Sequence, residues 1–178
     1  IRTRLTQVKN WLEEVNPDLL CLQETKVTDP LFPKEDLEEI GYQVYCLGQK
    51  AYNGVALISR HPLKDIRLGL IGELPDDQPA IRLGEQKRII SALVNEIRVV
   101  NLYVPNGSAL DSEKYNYKIE WLNCLDRYLK AQARRDEPLC LLGDFNIAPE
   151  AKDIHNPEKS TGGIMASKAE RDALKNLL

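Results

Sequence analysis

Apolar residues recur along this chain with two different periods, and each change of period marks an element. Leu5, Val8, Trp11, Leu12 and Val15 fall three or four apart, predicting an amphipathic helix over Arg2 to Val15. "NPD" (Asn16–Asp18) breaks it, and "LLCLQ" (Leu19–Gln23) is a continuous apolar run of buried-strand length. "PKEDLEEIG" reads as a short helix opened by Pro33 and closed by Gly41. Then "YQVYCLG", "NGVALISR", "DIRLGLIG", "KRIISALVNE" and "IRVVNLYVP" follow as β-branched runs punctuated by Gly, Pro and Asn, with Asn95-Glu96 as a hairpin tip. Helical period returns from Asp111 to Arg135, with Tyr117, Trp121, Leu122, Leu125 and Leu129 on one face. "PLCLLGDFN" is another buried strand, and "SKAERDALKNLL" opens a last helix with a Ser167/Glu170 capping box. The resulting order, α-β-α-β-β-β-β-β-α-β-α, predicts an α/β sandwich with helices outside its sheets.

Composition narrows the class without naming it. The chain has 178 residues, 43% hydrophobic and 29% charged, which is one soluble domain or most of a larger one. No run approaches the roughly 18–20 apolar residues of a membrane span, and the N-terminus lacks the apolar core of a secretory signal. It also opens without Met, so a segment of a longer chain is expected. Cys21, Cys46, Cys124 and Cys140 form no CxxC pair and read as buried reduced thiols, from which a cytoplasmic location is expected. His61 and His155 are too isolated for a histidine-rich zinc site. A net charge of −3 argues against a non-specific DNA coat protein, but not against an enzyme gripping a few phosphates with local Arg and Lys.

Two apolar strands end in acids. Glu24 follows "LLCLQ", and Asp144 follows "LCLLG". If the strands are neighbours, both carboxylates emerge at one rim, where like charges raise each other's pKa unless a cation intervenes. With the Asn146 carbonyl added, the donors are all oxygen and suit Mg²⁺ or Mn²⁺ better than zinc. Alternation points Asp144 and Asn146 the same way if the backbone stays extended through "GDFN". "NLYVPNG" ends a strand at Tyr103, either a packed tyrosine with a satisfied hydroxyl or a donor to a phosphoryl oxygen. Taken singly, each acid also reads as an ordinary solvated strand end.

In this order, "LQETK", "NGVALISR", "KRIISA", "NLYVPNG" and "LLGDFNIAP" closely resemble the exonuclease III family of AP endonucleases, within the endonuclease/exonuclease/phosphatase group. The resemblance runs from the first helix to about Asp153. It implies a four-layered α/β sandwich with two facing mixed β-sheets and the active site at one edge, as a single domain over residues 1–178. It implies Glu24 as metal ligand, with Asp144 and Asn146 as further ligands. Asp144 would handle the proton of the water or leaving group, Asn146 would orient water or phosphate, and Tyr103 would hold the phosphate. Arg88, Asn106 and Lys118 match positions that contact substrate. The implied function is Mg²⁺-dependent phosphodiester hydrolysis in DNA repair: incision of duplex DNA 5′ to abasic sites and trimming of 3′ ends, by a monomer without membrane association.

The resemblance also implies that both ends of the family's domain are lacking. Its members begin with an Asn-bearing strand and continue into strands carrying an Asp–Asn pair and an Asp–His pair. A fragment holding half the constellation is therefore expected to be poorly stable and weakly active alone. The alternatives are a relative acting on a lipid or inositol phosphate, and a truncated relative that only binds DNA. The four polar rim residues argue against the second.

Overall fold

Alternation along the strands decides which of two cores each side chain enters. The computed structural model describes residues 1–133, 137–160 and 162–177, in two compact units. The first takes in Ile1–Tyr103 and the strand ending at Asp144; the second takes in the chain from Val104 through the long helix, and from Phe145 onward.

In the first unit, β1 (Leu19–Gln23), β2 (Gln43–Leu47) and β3 (Val55–Ser59) form a sheet of order β1-β3-β2. A second sheet has the order β4-β5-β6-β7, from β4 (Lys64–Leu68), β5 (Ile89–Val94), β6 (Ile97–Tyr103) and β7 (Leu139–Asp144). Only β7 runs parallel to its neighbour, so the three-stranded sheet is antiparallel throughout and the four-stranded one is mixed. β3 is buried on both faces. Val55 and Leu57 enter a cluster with Ile90 and Ala92 of β5, which fills the space between the sheets. Ala56 and Ile58 point the other way, to Leu12 of α1 (Leu5–Val15) and Leu37 of α2 (Lys34–Glu38). Each such buried Val, Leu or Ile contributes on the order of 1.5–3 kcal/mol.

The expected α1 stripe is only partly interior: Leu12 is buried, whereas Trp11 and Val15 are exposed. Asn16 ends α1 in the left-handed region (φ 50°), as "NPD" foretold. Asn95 and Glu96 both have positive φ between the paired Val94 and Ile97, the two-residue hairpin turn that the strand twist favours. The run "DIRLGLIG" is not one strand: β4 stops at Leu68, and Leu70–Gly72 is a 3₁₀ turn. An unforeseen helix, α3 (Gln78–Leu83), starts where the Asp77 side chain accepts from the Ala80 N–H at 2.9 Å.

The second unit is helical: α4 (Glu113–Ala133), α5 (Pro157–Ser160) and α6 (Lys168–Leu177), with α4 packed on α6. The expected helix end at Arg135 lies outside the described residues. The buried side of α4 runs through Tyr115, Lys118, Trp121, Leu122, Leu125 and Leu129, and Tyr117 sits beside it, half-buried. Ser167 and Glu170 form the expected reciprocal cap: the Ser167 N–H donates to the Glu170 carboxylate at 3.1 Å and the Glu170 N–H to Ser167 Oγ at 3.3 Å. No helix among the described residues is long and apolar enough to cross a membrane.

Candidate active site

β1 and β7 are not neighbours, contrary to the simplest expectation: each is an edge strand, of different sheets, and they touch across the sandwich. Packing between the sheets sets the ends of both strands near Tyr103, whose phenol feels both acids. On β1, Leu19 and Cys21 face the inter-sheet core, and Gln23 continues that face. Its Nε2 donates to Asn101 Oδ1 of β6 at 2.7 Å. The Asn101 amide in turn donates to the carbonyls of Leu22 and Ala56, both at 3.0 Å. Asn101 is wholly buried with its amide satisfied, so it pins β6 against β1 and β3 one step behind the strand ends. Nothing in "NLYVPNG" had distinguished Asn101; its place on the inward face, two residues before Tyr103, was the available signal.

Beyond Gln23 the backbone leaves the strand abruptly. Glu24 (φ 53°) and Lys26 (φ 54°) both lie in the left-handed region that residues other than glycine rarely enter. The turn is held from outside, by Thr25 N–H donating to the Gly54 carbonyl at 3.2 Å and Lys26 N–H to the Asn53 carbonyl at 2.9 Å. Gly54 is required there: a Cβ would stand 2.2 Å from Thr25 Oγ1. Such locally costly backbone persists only where surroundings enforce it, and it gathers at functional sites. Its effect is to present the Glu24 carboxylate to solvent, 2.5 Å from the Lys26 ammonium. That hydrogen bond first, then the Tyr103 phenol and nearby positive charge, hold the Glu24 carboxyl below the usual carboxylate range. The cation that neutralises this acid is therefore a lysine two residues on, visible in "QETK" but given no role beforehand.

Tyr103 and Asp144 are register partners at the ends of the parallel strands β6 and β7. Burial first, then the Glu24 charge and hydrogen bond, push the Tyr103 phenol upward, with Asp144 adding to the same effect. Arg88 lies over the Tyr103 ring, its guanidinium carbon 4.7 Å from the ring centroid, and its Nη1 donates to the Tyr103 carbonyl at 3.2 Å. Behind Asp144, Gly143 (φ 134°) lets the two strands approach closely: a Cβ there would fall 2.0 Å from the Leu102 carbonyl oxygen. Glu24, Arg88, Tyr103 and Asp144 thus form one cluster at a strand-end rim.

Asn106, Lys118 and Asn146 form another network, in the second unit. Asn146 is left-handed (φ 49°), so the extended backbone assumed through "GDFN" ends at Asp144, and the alternation argument does not reach Asn146. Its Nδ2 donates to the Val104 carbonyl at 2.9 Å, and its Oδ1 accepts from Asn106 Nδ2 at 3.4 Å. Asn106 Oδ1 accepts from the Ser108 N–H at 3.1 Å, closing an Asx turn. Lys118, expected as a substrate contact, is buried: its side chain is 0% exposed, and its ammonium lies 2.5 Å from an equally buried carboxylate, Glu170.

Among the described residues, no three of His, Cys, Asp and Glu converge as a metal cage would require. The donor set fits a different mode of binding. A hard cation can keep several of its waters and be held by only one or two carboxylates together with phosphate oxygens. Glu24, ionised and exposed, is a carboxylate of that kind.

The model of the Endonuclease/Exonuclease/phosphatase family matches residues 2–173, through both units. The chain belongs to that family, on its exonuclease III side. It is 34% identical over 155 residues to exodeoxyribonuclease III of Haemophilus influenzae, covering 86% of this chain and 57% of that protein. Among solved structures, it is similar to a 3′-phosphatase from Neisseria bound to a product DNA hairpin, with a TM-score of 0.89 and 42% identity over 98% of this chain and 65% of that one. An AP endonuclease from Archaeoglobus fulgidus gives 0.88 and 40%, over 99% and 65%. The fold is therefore the family's α/β sandwich, and the chain spans less than two thirds of the length of these relatives.

Proposed function

We propose that this chain belongs to the catalytic domain of a DNA-repair phosphodiester hydrolase that incises duplex DNA 5′ to abasic sites and trims 3′ ends. The observation that carries the reading is the cluster at the strand-end rim, where the Tyr103 phenol stands with the carboxylates of Glu24 and Asp144 under the Arg88 guanidinium. The relatives, named for exodeoxyribonuclease, AP-endonuclease and DNA 3′-phosphatase activity, support DNA over a lipid or inositol phosphate.

Phosphodiester hydrolysis builds negative charge on the non-bridging and leaving oxygens. Tyr103, whose raised pKa keeps it protonated, donates a hydrogen bond to a phosphoryl oxygen, and Arg88 adds positive charge beside the ring. Asp144 takes the proton of the attacking water or manages that of the leaving group. Asn146 orients water or phosphate, and Asn106 meets the substrate backbone. A hard divalent cation, Mg²⁺ or Mn²⁺, would be held by the Glu24 and Asp144 carboxylates and would supply Lewis-acid stabilisation of that charge. The four free thiols accord with a reducing, cytoplasmic setting.

The test uses the full natural reading frame that encodes this chain. A duplex with one abasic-site analogue is offered with Mg²⁺ and with EDTA, beside a 3′-recessed duplex and an inositol phosphate. Cutting on the 5′ side of the lesion, leaving a 3′-hydroxyl and abolished by EDTA, is expected. Release of phosphate from the inositol substrate with the duplexes left intact would overturn the assignment.

A further inference from the structure

We propose that Lys118 is a positioning residue: paired with Glu170, its ammonium clamps the loops carrying Asn106 and Asn146 and never touches substrate. This rests on the reading above for what those two asparagines do, but the clamp itself is read from the second unit alone.

An ammonium has three N–H donors, and acceptors from three different residues lie around this one. Lys118 Nζ donates to Glu170 Oε1 at 2.5 Å, to the Asn146 carbonyl at 2.6 Å and to the Asn106 carbonyl at 3.2 Å. Glu170 is held just as fully. Its Oε1 also accepts from the Met165 N–H at 3.1 Å, while its Oε2 accepts from Ser167 N–H at 3.1 Å and Ser167 Oγ at 2.7 Å. Tyr115 buttresses that serine, with 2.7 Å between the two hydroxyl oxygens. Neither charged side chain has any exposed surface.

Burying an ion pair costs desolvation that an apolar pair of similar size avoids, so stability alone is a poor account of it. What the pair supplies is direction. One ammonium fixes the carbonyls of two residues forty positions apart in sequence, and both peptide groups belong to asparagines whose side chains also meet. Asn146 holds a left-handed conformation in which its carbonyl reaches Lys118 while its Nδ2 reaches Val104. Gly107 fits the same closure, since a Cβ there would lie 3.1 Å from Lys118 Cδ. Without the ammonium, both carbonyls lose this shared donor, and the link that ties one loop to the other is removed.

The experiment compares, in the full natural reading frame, Lys118→Met with the double change Lys118→Met/Glu170→Gln, which leaves no unpaired buried charge should the single change fail to fold. The readouts are the side-chain amide NMR resonances of Asn106 and Asn146 without DNA, the single-turnover cleavage rate at saturating DNA, and DNA affinity across salt concentrations. The expected result is a cooperatively melting double variant whose two amide resonances move or broaden. Its cleavage rate falls about 10–100-fold, the effect of misplacing a catalytic group by about 1 Å, while affinity and its salt slope stay unchanged. A salt slope reduced by about one would mean a lost phosphate contact and would overturn the proposal. So would a folded variant whose resonances and rate match the wild type, since the pair would then be structural only. Should the wild type cut no DNA, the functional reading fails, while the amide resonances still decide the clamp.

Discussion

Replacing Gly143 by alanine tests how the rim is built. The new Cβ would stand 2.0 Å from the Leu102 carbonyl oxygen and 2.9 Å from the Leu102 nitrogen, contacts that real Cβ atoms do not make. The obstacle is backbone of the neighbouring strand, so no side-chain rotation relieves it. The residue would also be forced to φ 134°, at a cost of about 1–3 kcal/mol. Relieving the clash means parting β6 from β7 where Tyr103 pairs with Asp144. Together these suggest a loss of roughly 3 kcal/mol, or a melting temperature lower by roughly 6–12 °C. A displacement of Asp144 by about 1 Å would lower turnover on the order of a hundredfold. Gly41→Ala is the control, because Gly41 has φ 88° and nothing within 4 Å of its Cβ position; it should cost only the conformational term, about 1–2 kcal/mol. Thermal melts and single-turnover cleavage on both variants make the comparison. If the two melt alike and Gly143→Ala cleaves at the wild-type rate, the close strand approach does not position the acid.

Further expectations concern other groups. Burial holds the Cys21 thiol at about 12 and the Cys46 thiol at about 11, whereas Cys140 is exposed, so maleimide at pH 7 should label Cys140 first and leave Cys21 and Cys46 intact in mass spectra of the folded protein. Hydrogen bonding to Arg67, and then to Arg98, depresses the Asp65 carboxyl. Its folded pKa lies below the unfolded value of about 3.9, so its stabilisation is full above that value and is lost as pH falls through the folded pKa. Urea midpoints should therefore separate wild type from Asp65→Asn at pH 7 and draw together as the solution is acidified below the unfolded value; a gap that does not narrow with falling pH would refute the linkage. Tyr103→Phe should slow single-turnover cleavage roughly 10–1,000-fold while leaving DNA affinity nearly unchanged, whereas a matching loss of affinity would make Tyr103 a ground-state contact.

The chain's pattern made some parts of this molecule plain and left others hidden, for identifiable reasons. The strands around Cys21, Leu57 and Val100 could be read because runs of apolar residues of that length bury themselves in sheets, and Asn95-Glu96 because few pairs suit a two-residue hairpin. α3 escaped notice because its six residues sit within a β-rich stretch, and its start depends on one side-chain cap. At the rim, Glu24, Tyr103 and Asp144 were legible as polar strand ends. How both acids come to act on Tyr103 was not, because sheet order follows from tertiary pairing that no local pattern encodes. The burial of Lys118 was hidden for a related cause: a lysine on a helix is ordinarily solvated, and its partner Glu170 lies 52 residues away, itself read as a helix cap.

The central claim is that the rim of Glu24, Tyr103 and Asp144 performs phosphodiester hydrolysis. Its most direct test is single-turnover cleavage of an abasic-site duplex by Asp144→Asn in the full natural reading frame, with DNA affinity measured on the same preparation. The account predicts a rate loss of about 10²–10⁴-fold with affinity retained, as removal of an acid–base group requires. Cleavage at the wild-type rate by a folded Asp144→Asn protein would contradict it.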